Sequence, residues 1–414
     1  MFLRYNGIMK RILIFIVIFF VGMTAFSQDM SYFTSEYMRV DGTFNERLGV
    51  LEAVRDSGIT GLGDFYHEAL KFLLIRAPDI RSNSEQLDAE KSAIILCQGL
   101  GAEKRTEAAA ELWQVAVLFD VSGNANDGNP MRAALIALGQ VDNKNYVPHI
   151  VRRLDDLNNQ NVKNPVQRSR NQMAVLGCIS ALEALQDIRG FRPVFFASRG
   201  PYDLAIKEVA AKTLPNIVDD PSEEIINIIR DFDNAPDVKL AVWREMFKTN
   251  MPDSSKAKVA AAALDIGWIY QTQNRTFQTN LRELRKSALE TMRQVGFADD
   301  SVYTNLEKSY ANNFATANPD YDEIMLTLNA LTAVSSEQSV ELIHKFLREI
   351  NGRRRTGPWG NKERRIYEWL LSCIGKTGTR SIEVRLLLTT MQRNNAYTPQ
   401  EQNMAANALK ALGY

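Results

Sequence analysis

A helix–turn–helix grammar recurs along this chain at intervals of about 40 residues, and it constrains the fold more than any other feature. The clearest copy runs from Met131 to Leu154. Apolar residues at i, i+3, i+4 and i+7 lead to Gly139, a short polar turn follows, and a second amphipathic stretch starts near Tyr146 and Val147. Gly139 is expected to hold a left-handed helix end. Marks of the same kind fall near residues 58, 99, 296, 334, 375 and 413. Between 139 and 296 the units are degenerate, yet Ala174 to Leu185, Ala205 to Ile217, Val238 to Lys248 and Lys256 to Tyr270 keep helical spacing. Alternation of apolar and polar residues is absent, so strands are expected to be close to nil.

A unit of this kind cannot bury its apolar face alone. Stacking neighbours supplies a continuous core, and the product is a repeat array. The marks resemble the HEAT family in its short, HEAT-like form. The pattern is Arg or Lys, small and apolar residues ending in Ala-x-x-Leu-Gly, a turn, then Val/Ile-x-x-x-Leu. Arg132, Ala133, Ala137, Leu138 and Gly139 carry it best, with Asn403, Ala405, Ala408, Leu412 and Gly413. The Asp of the usual turn is often missing, and several units replace the Gly. The resemblance implies an all-α superhelix of about nine to ten helix pairs over residues 45–414, irregular in about 155–280. A tetratricopeptide array would need a 34-residue period and its Trp/Gly/Tyr and Ala signatures, which the sequence does not carry.

The first residues read as an export signal. Lys10 and Arg11 precede a uniformly apolar run from Ile12 to Val21, and Ala25-Phe26-Ser27 offers small residues for a cut after Ser27. The run is shorter than a membrane-spanning helix requires and is interrupted by Gly22 and Thr24. Residues 1–27 are therefore expected to be a cleaved signal peptide, 28–44 a linker, and the mature protein to sit in the periplasm or cell envelope with no stable membrane span. The whole sequence has 49 Lys+Arg and 49 Asp+Glu. A chain so balanced lacks the basic excess of a general nucleic-acid binder, so no nucleic acid is expected. Export permits disulfides, but Cys97, Cys178 and Cys373 are odd in number and sit among apolar neighbours, as small buried thiols do.

Familiar catalytic patterns are incomplete. Gly375-Lys376-Thr377 looks like the end of a phosphate loop, but position 370 is Leu where the motif needs Gly. Asp120 to Asn129 has the composition of a calcium loop, yet Ala125 and Met131 stand where Gly and a bidentate Glu belong. His67, His149 and His344 are scattered and lack metal-pair spacing. No cofactor and no metal are expected.

The most unusual segment is Lys345 to Arg365, with a local charge of +6. It reads as a long inter-helix loop carrying Arg353, Arg354, Arg355, Trp359, Lys362, Arg364 and Arg365. Arginine and tryptophan are the side chains that most often anchor protein interfaces. Its counterpart, Asp219 to Asp237, carries −6. Together the two permit weak head-to-tail self-association. The expected function is a non-catalytic protein-binding scaffold for an unidentified protein partner, with those seven residues as the contact. The alternatives are a modification enzyme of the lyase type found among HEAT-like proteins and a purely structural envelope component.

Overall fold

The computed structural model describes residues 31–39, 41–122, 126–316, 318–334, 336–356, 359–378 and 381–414, with only the backbone of residue 355. The expected signal segment, residues 1–27, lies outside them. Among the described residues there are 20 helices and no strand, so the protein is all-α. No described helix is long and apolar enough to cross a membrane. Contacts divide the chain into two units, one ending at Val218 and one running from Asp219 to Tyr414.

The first unit contains α1 (residues 31–37), α2 (Phe44–Ser57), α3 (Gly63–Arg76), α4 (Asn83–Ala102), α5 (Ala109–Leu118), α6 (Asn129–Gln140), α7 (Val147–Asn159), α8 (Pro165–Leu185), α9 (Phe191–Arg199) and α10 (Leu204–Ile217). Helix α1 falls inside the stretch expected to be a linker. Its Tyr37 is 1% exposed and meets Phe65 and Phe72 of α3 edge-on, which places it in the core. Arg47 of α2 is buried with it and donates to the carbonyls of Tyr37 and Arg39. The even helices α2, α4, α6, α8 and α10 contact one another in succession. Odd helices pair beside them, α3 with α5 and α7 with α9.

The second unit contains α11 (Ser222–Arg230), α12 (Pro236–Glu245), α13 (Asp253–Ile269), α14 (Arg275–Val295), α15 (Asp300–Ala315), α16 (Tyr321–Val334), α17 (Glu337–Thr356), α18 (Asn361–Thr377), α19 (Ile382–Arg393) and α20 (Pro399–Ala411). It follows the same rule. Even helices α12 to α20 form one row and odd helices α11 to α17 another, each helix touching the next one or two in sequence. The degenerate middle of the sequence is thus a run of helices joined by short turns, with α8 and α14 both starting on an asparagine cap, Asn164 and Asn274.

The glycine marks divide into two kinds. Gly296 ends α14 at φ 65° as expected. Gly139 does not end α6. It lies inside the helix, and a Cβ there would stand 2.9 Å from the Cα of Ala181 on α8. Its missing side chain lets two backbones approach, so the sequence mark records close packing and not a turn. Gly375 is likewise inside α18, and the left-handed cap is Gly378, at φ 68°. Lys376 therefore sits in a helix's last turn, where a cation suits the dipole.

Candidate binding surfaces

The basic segment is helix where a loop was expected. Helix α17 continues to Thr356, so Arg353 and Arg354 occupy its last turns, as does the backbone of Arg355. Asn351-Gly352 reads as a helix breaker, but tertiary contacts override it. Asn351 is 5% exposed, and its Oδ1 accepts from the hydroxyls of Tyr397 at 2.8 Å and Tyr367 at 3.3 Å. Arg354 then fastens the helix end to α20. Its guanidinium donates to Glu401 Oε2 at 2.6 Å and to the Ala396 carbonyl at 2.9 Å, and lies 4.4 Å above the Tyr397 ring. Glu401, 1% exposed, also closes the capping box of α20 with Thr398.

The other members of the segment have distinct surroundings. Arg353 lies 4.3 Å above the Phe314 ring and reaches Glu349 at 3.3 Å. Lys362 donates to the carbonyls of Phe314 at 2.7 Å and Thr316 at 3.1 Å, closing the end of α15. Trp359 stands edge-on to Tyr367 at 5.5 Å. Arg364 and Arg365 are exposed, with Arg365 above the Tyr321 ring at 4.7 Å. Arg354 and Lys362 are thus engaged in holding helix ends, whereas Arg364 and Arg365 face solvent.

Arg365 also marks the rim of a groove that sequence reasoning missed. The groove, about 490 Å³, lies on the even helices α16, α18 and α20 and is lined by Tyr321, Met325, Ile366, Trp369 and Met404, with Glu368 beside them. Trp369 falls in a stretch whose periodicity reads as ordinary helix core. What makes it a surface residue is the spacing of neighbouring helices, which no sequence pattern encodes. Lys376 stands 5.8 Å from its ring.

A second cleft, of about 670 Å³, lies on the odd helices α15, α17 and α19. It is polar. Lys345 pairs with Glu307 across α17 and α15, and Arg348 with Glu383 at 2.6 Å across α17 and α19. Glu337 and Glu341 add two further carboxylates. His344 lines the cleft but is 8% exposed, and its Nε2 has no hydrogen-bond partner. Burial, helped by Arg348, holds its pKa down at about 4, partly offset by Glu383.

The remaining candidates resolve locally. Cys97, Cys178 and Cys373 are free and buried. Burial raises all three thiol pKa values, that of Cys178 to about 12, which disfavours the thiolate a nucleophile needs. His67 Nε2 comes within 3.2 Å of Glu111 Oε2 across α3 and α5. His149 packs against the Trp113 ring at 5.2 Å. In the loop of calcium-site composition, Asp120 pairs with Arg153 at 2.7 Å and Asp127 accepts from the Asn129 backbone at 2.9 Å. Among the described residues no group of three or more His, Cys, Asp or Glu has metal-binding geometry. In the acidic segment, Asp220 accepts from Ser255 at 2.5 Å and from the Ser222 backbone at 3.0 Å. The chain matches no protein-family model and no curated protein.

Proposed function

We propose that this protein is an exported, non-catalytic scaffold of the periplasm or cell envelope that binds another protein, built as a HEAT-like α-solenoid of about nine to ten helix pairs. The observation that carries the reading is the contact rule. In both units each helix touches the next one or two in sequence; the even helices form a row in each, and the odd helices form a row in the second unit and two pairs in the first. Repeat proteins are stabilised by such nearest-neighbour contacts and bind partners along the grooves between successive helices. The apolar groove with Arg365 at its rim and the polar cleft beside His344 are grooves of that kind. The signal-like residues 1–27 support export. The lyase-type alternative gains nothing from the three thiols, which are buried with raised pKa values.

The test is in-cell crosslinking with affinity capture and mass spectrometry. The intact protein is compared with an Arg364→Glu/Arg365→Glu variant, because Arg354 is committed to Glu401 and its replacement would report on folding. A dominant partner lost in the variant supports a scaffold that binds through this surface. Capture of a substrate-like small molecule with turnover, in place of a protein, would overturn the reading. N-terminal sequencing of the exported form should begin at Gln28 if the cut follows Ser27.

A further inference from the structure

The apolar groove has a complement on the same unit. The turn after α11 carries Phe232 between Asp231 and Asp233, and Phe232 is 59% exposed. Phe247 and Phe297 are exposed as well, but of the three only Phe232 has an acid on each side, and it is held in place. Buried Lys239 donates from Nζ to the carbonyls of Ile229, at 2.8 Å, and Asp231. Asn234 donates to the Ile228 carbonyl at 3.0 Å, and the Asp233 backbone to Asp231 Oδ1 at 3.1 Å. The Phe232 ring stacks on Tyr270 at 6.0 Å, with the planes 7° apart. The ring is therefore presented on a preformed turn, which lowers the ordering cost of any contact it makes.

The groove asks for such a group. Its lining of Trp369, Met325, Met404, Ile366 and Tyr321 suits an aromatic ring, and methionine adapts readily around one. Arg365 at its rim, with exposed Arg364 beside it in sequence, suits an acid next to that ring. The two features lie at opposite ends of the unit. Phe232 follows α11, the first helix of the odd row, while the groove is formed by α16, α18 and α20, the last three of the even row.

We propose that the occupant of this groove is Phe232 of a second copy, with that copy's Asp233 set against Arg365. The contact is head-to-tail, because the face that gives differs from the face that receives. It leaves a free Phe232 at one end and a free groove at the other, so assembly continues beyond a dimer unless a ring closes. One aromatic anchor with a charged rim falls short of the area of a standard stable interface, so the association is weak and reversible. It shares its groove with the scaffold reading, but sedimentation of the isolated chain tests it without any partner, so the failure of one is told from the failure of the other.

The experiment is sedimentation velocity on the full exported chain at low salt over a range of concentrations. The wild type should show species larger than a monomer that grow with concentration and recede on adding salt. Phe232→Ser and Arg365→Glu should each weaken association by at least about tenfold. Mixed together, they should form a dimer and go no further, because the first keeps an intact groove and the second an intact Phe232. Met325→Lys serves as a second groove variant and should behave like Arg365→Glu. Circular dichroism identifies any variant that has failed to fold. A wild type that stays monomeric at its highest soluble concentration overturns the proposal. So does association that persists in both single variants, or a mixture of folded variants that does not pair. Binding of an acidic, phenylalanine-containing peptide to a chain that never self-associates assigns the groove to another partner and equally overturns it.

Discussion

Arg354 and Arg364 are ten residues apart in one basic segment, yet their surroundings give them different energetic roles. Arg354 holds Glu401, a carboxylate 1% exposed to solvent, while Arg364 extends into water. Removing one member of a buried pair leaves an uncompensated charge, whereas an exposed charge is screened. Glu401→Ala also deletes half of a capping box, so it should lower stability by about 3 kcal/mol, against less than about 0.5 kcal/mol for Arg364→Ala. Urea denaturation of the two variants checks the contrast, and equal losses would contradict the structural role given to Arg354. His344 provides a second residue-scale test. Its folded pKa of about 4 lies below the ordinary 6.5. The unfolded chain takes up the proton first, so this contribution to stability is full above about pH 6.5, is lost as pH falls toward 4, and changes no further below that. The ceiling is about 3 kcal/mol at 1.4 kcal/mol per pH unit. Glu307, Glu337, Glu341 and Glu383 line the same cleft, and stability in acid sums over every ionisable group of the chain. The informative quantity is therefore the difference between wild type and His344→Gln, whose unfolding free energy should depend less on pH between 6.5 and 4. Parallel curves would show that His344 is not the responsible group.

At the scale of the element, helices were legible in the sequence because apolar spacing decides which face is buried, and that spacing survives even in the degenerate middle of the chain. The ends of helices were less legible. Gly139 and Gly296 look alike in sequence, but one is a close approach between α6 and α8 and the other a left-handed cap. Only the neighbouring helix tells them apart. The basic segment was misread for the same reason, since Asn351-Gly352 breaks helices in isolation and continues one here because Tyr397 and Tyr367 satisfy Asn351. The Trp369 groove was invisible because it lies between elements and not within one. Two glycine substitutions follow from the distinction. Gly139→Ala forces a methyl group to 2.9 Å from the Ala181 Cα and should cost about 1–3 kcal/mol through overpacking. Gly49, inside α2, has nothing within 4 Å of such a methyl. Gly49→Ala should therefore stabilise by about 0.5–1 kcal/mol, the ordinary helix preference for alanine. Thermal unfolding of both variants checks the signs, and a destabilising Gly49→Ala would mean that α2 is more crowded than its geometry implies.

For the molecule as a whole, the decisive property is that contacts run between neighbours in sequence. A helix within a row is held on both sides and a helix at its end on one. Where helices are held chiefly by their neighbours in sequence, stability approaches a sum of unit and interface terms, so local opening is easiest where an interface is missing. In the first unit, α6 packs against α4, α5 and α8, whereas α2 packs chiefly on α4, with α1 joined to it through Arg47. In the second, α14 packs against α12, α13 and α16, whereas α19 packs chiefly on α20 and reaches α17 through the Arg348–Glu383 pair. Hydrogen exchange followed by mass spectrometry should accordingly find α6, α8, α14 and α16 the most protected and α2 and α19 exchanging first, with protection falling gradually along each row. Helix length does not predict the same order, because α17, at 20 residues, is longer than the 14-residue α16. Protection that follows length would assign stability to the helices themselves. Uniform protection throughout a unit would mean that its interfaces are coupled strongly enough to open together, and the nearest-neighbour account would fail there.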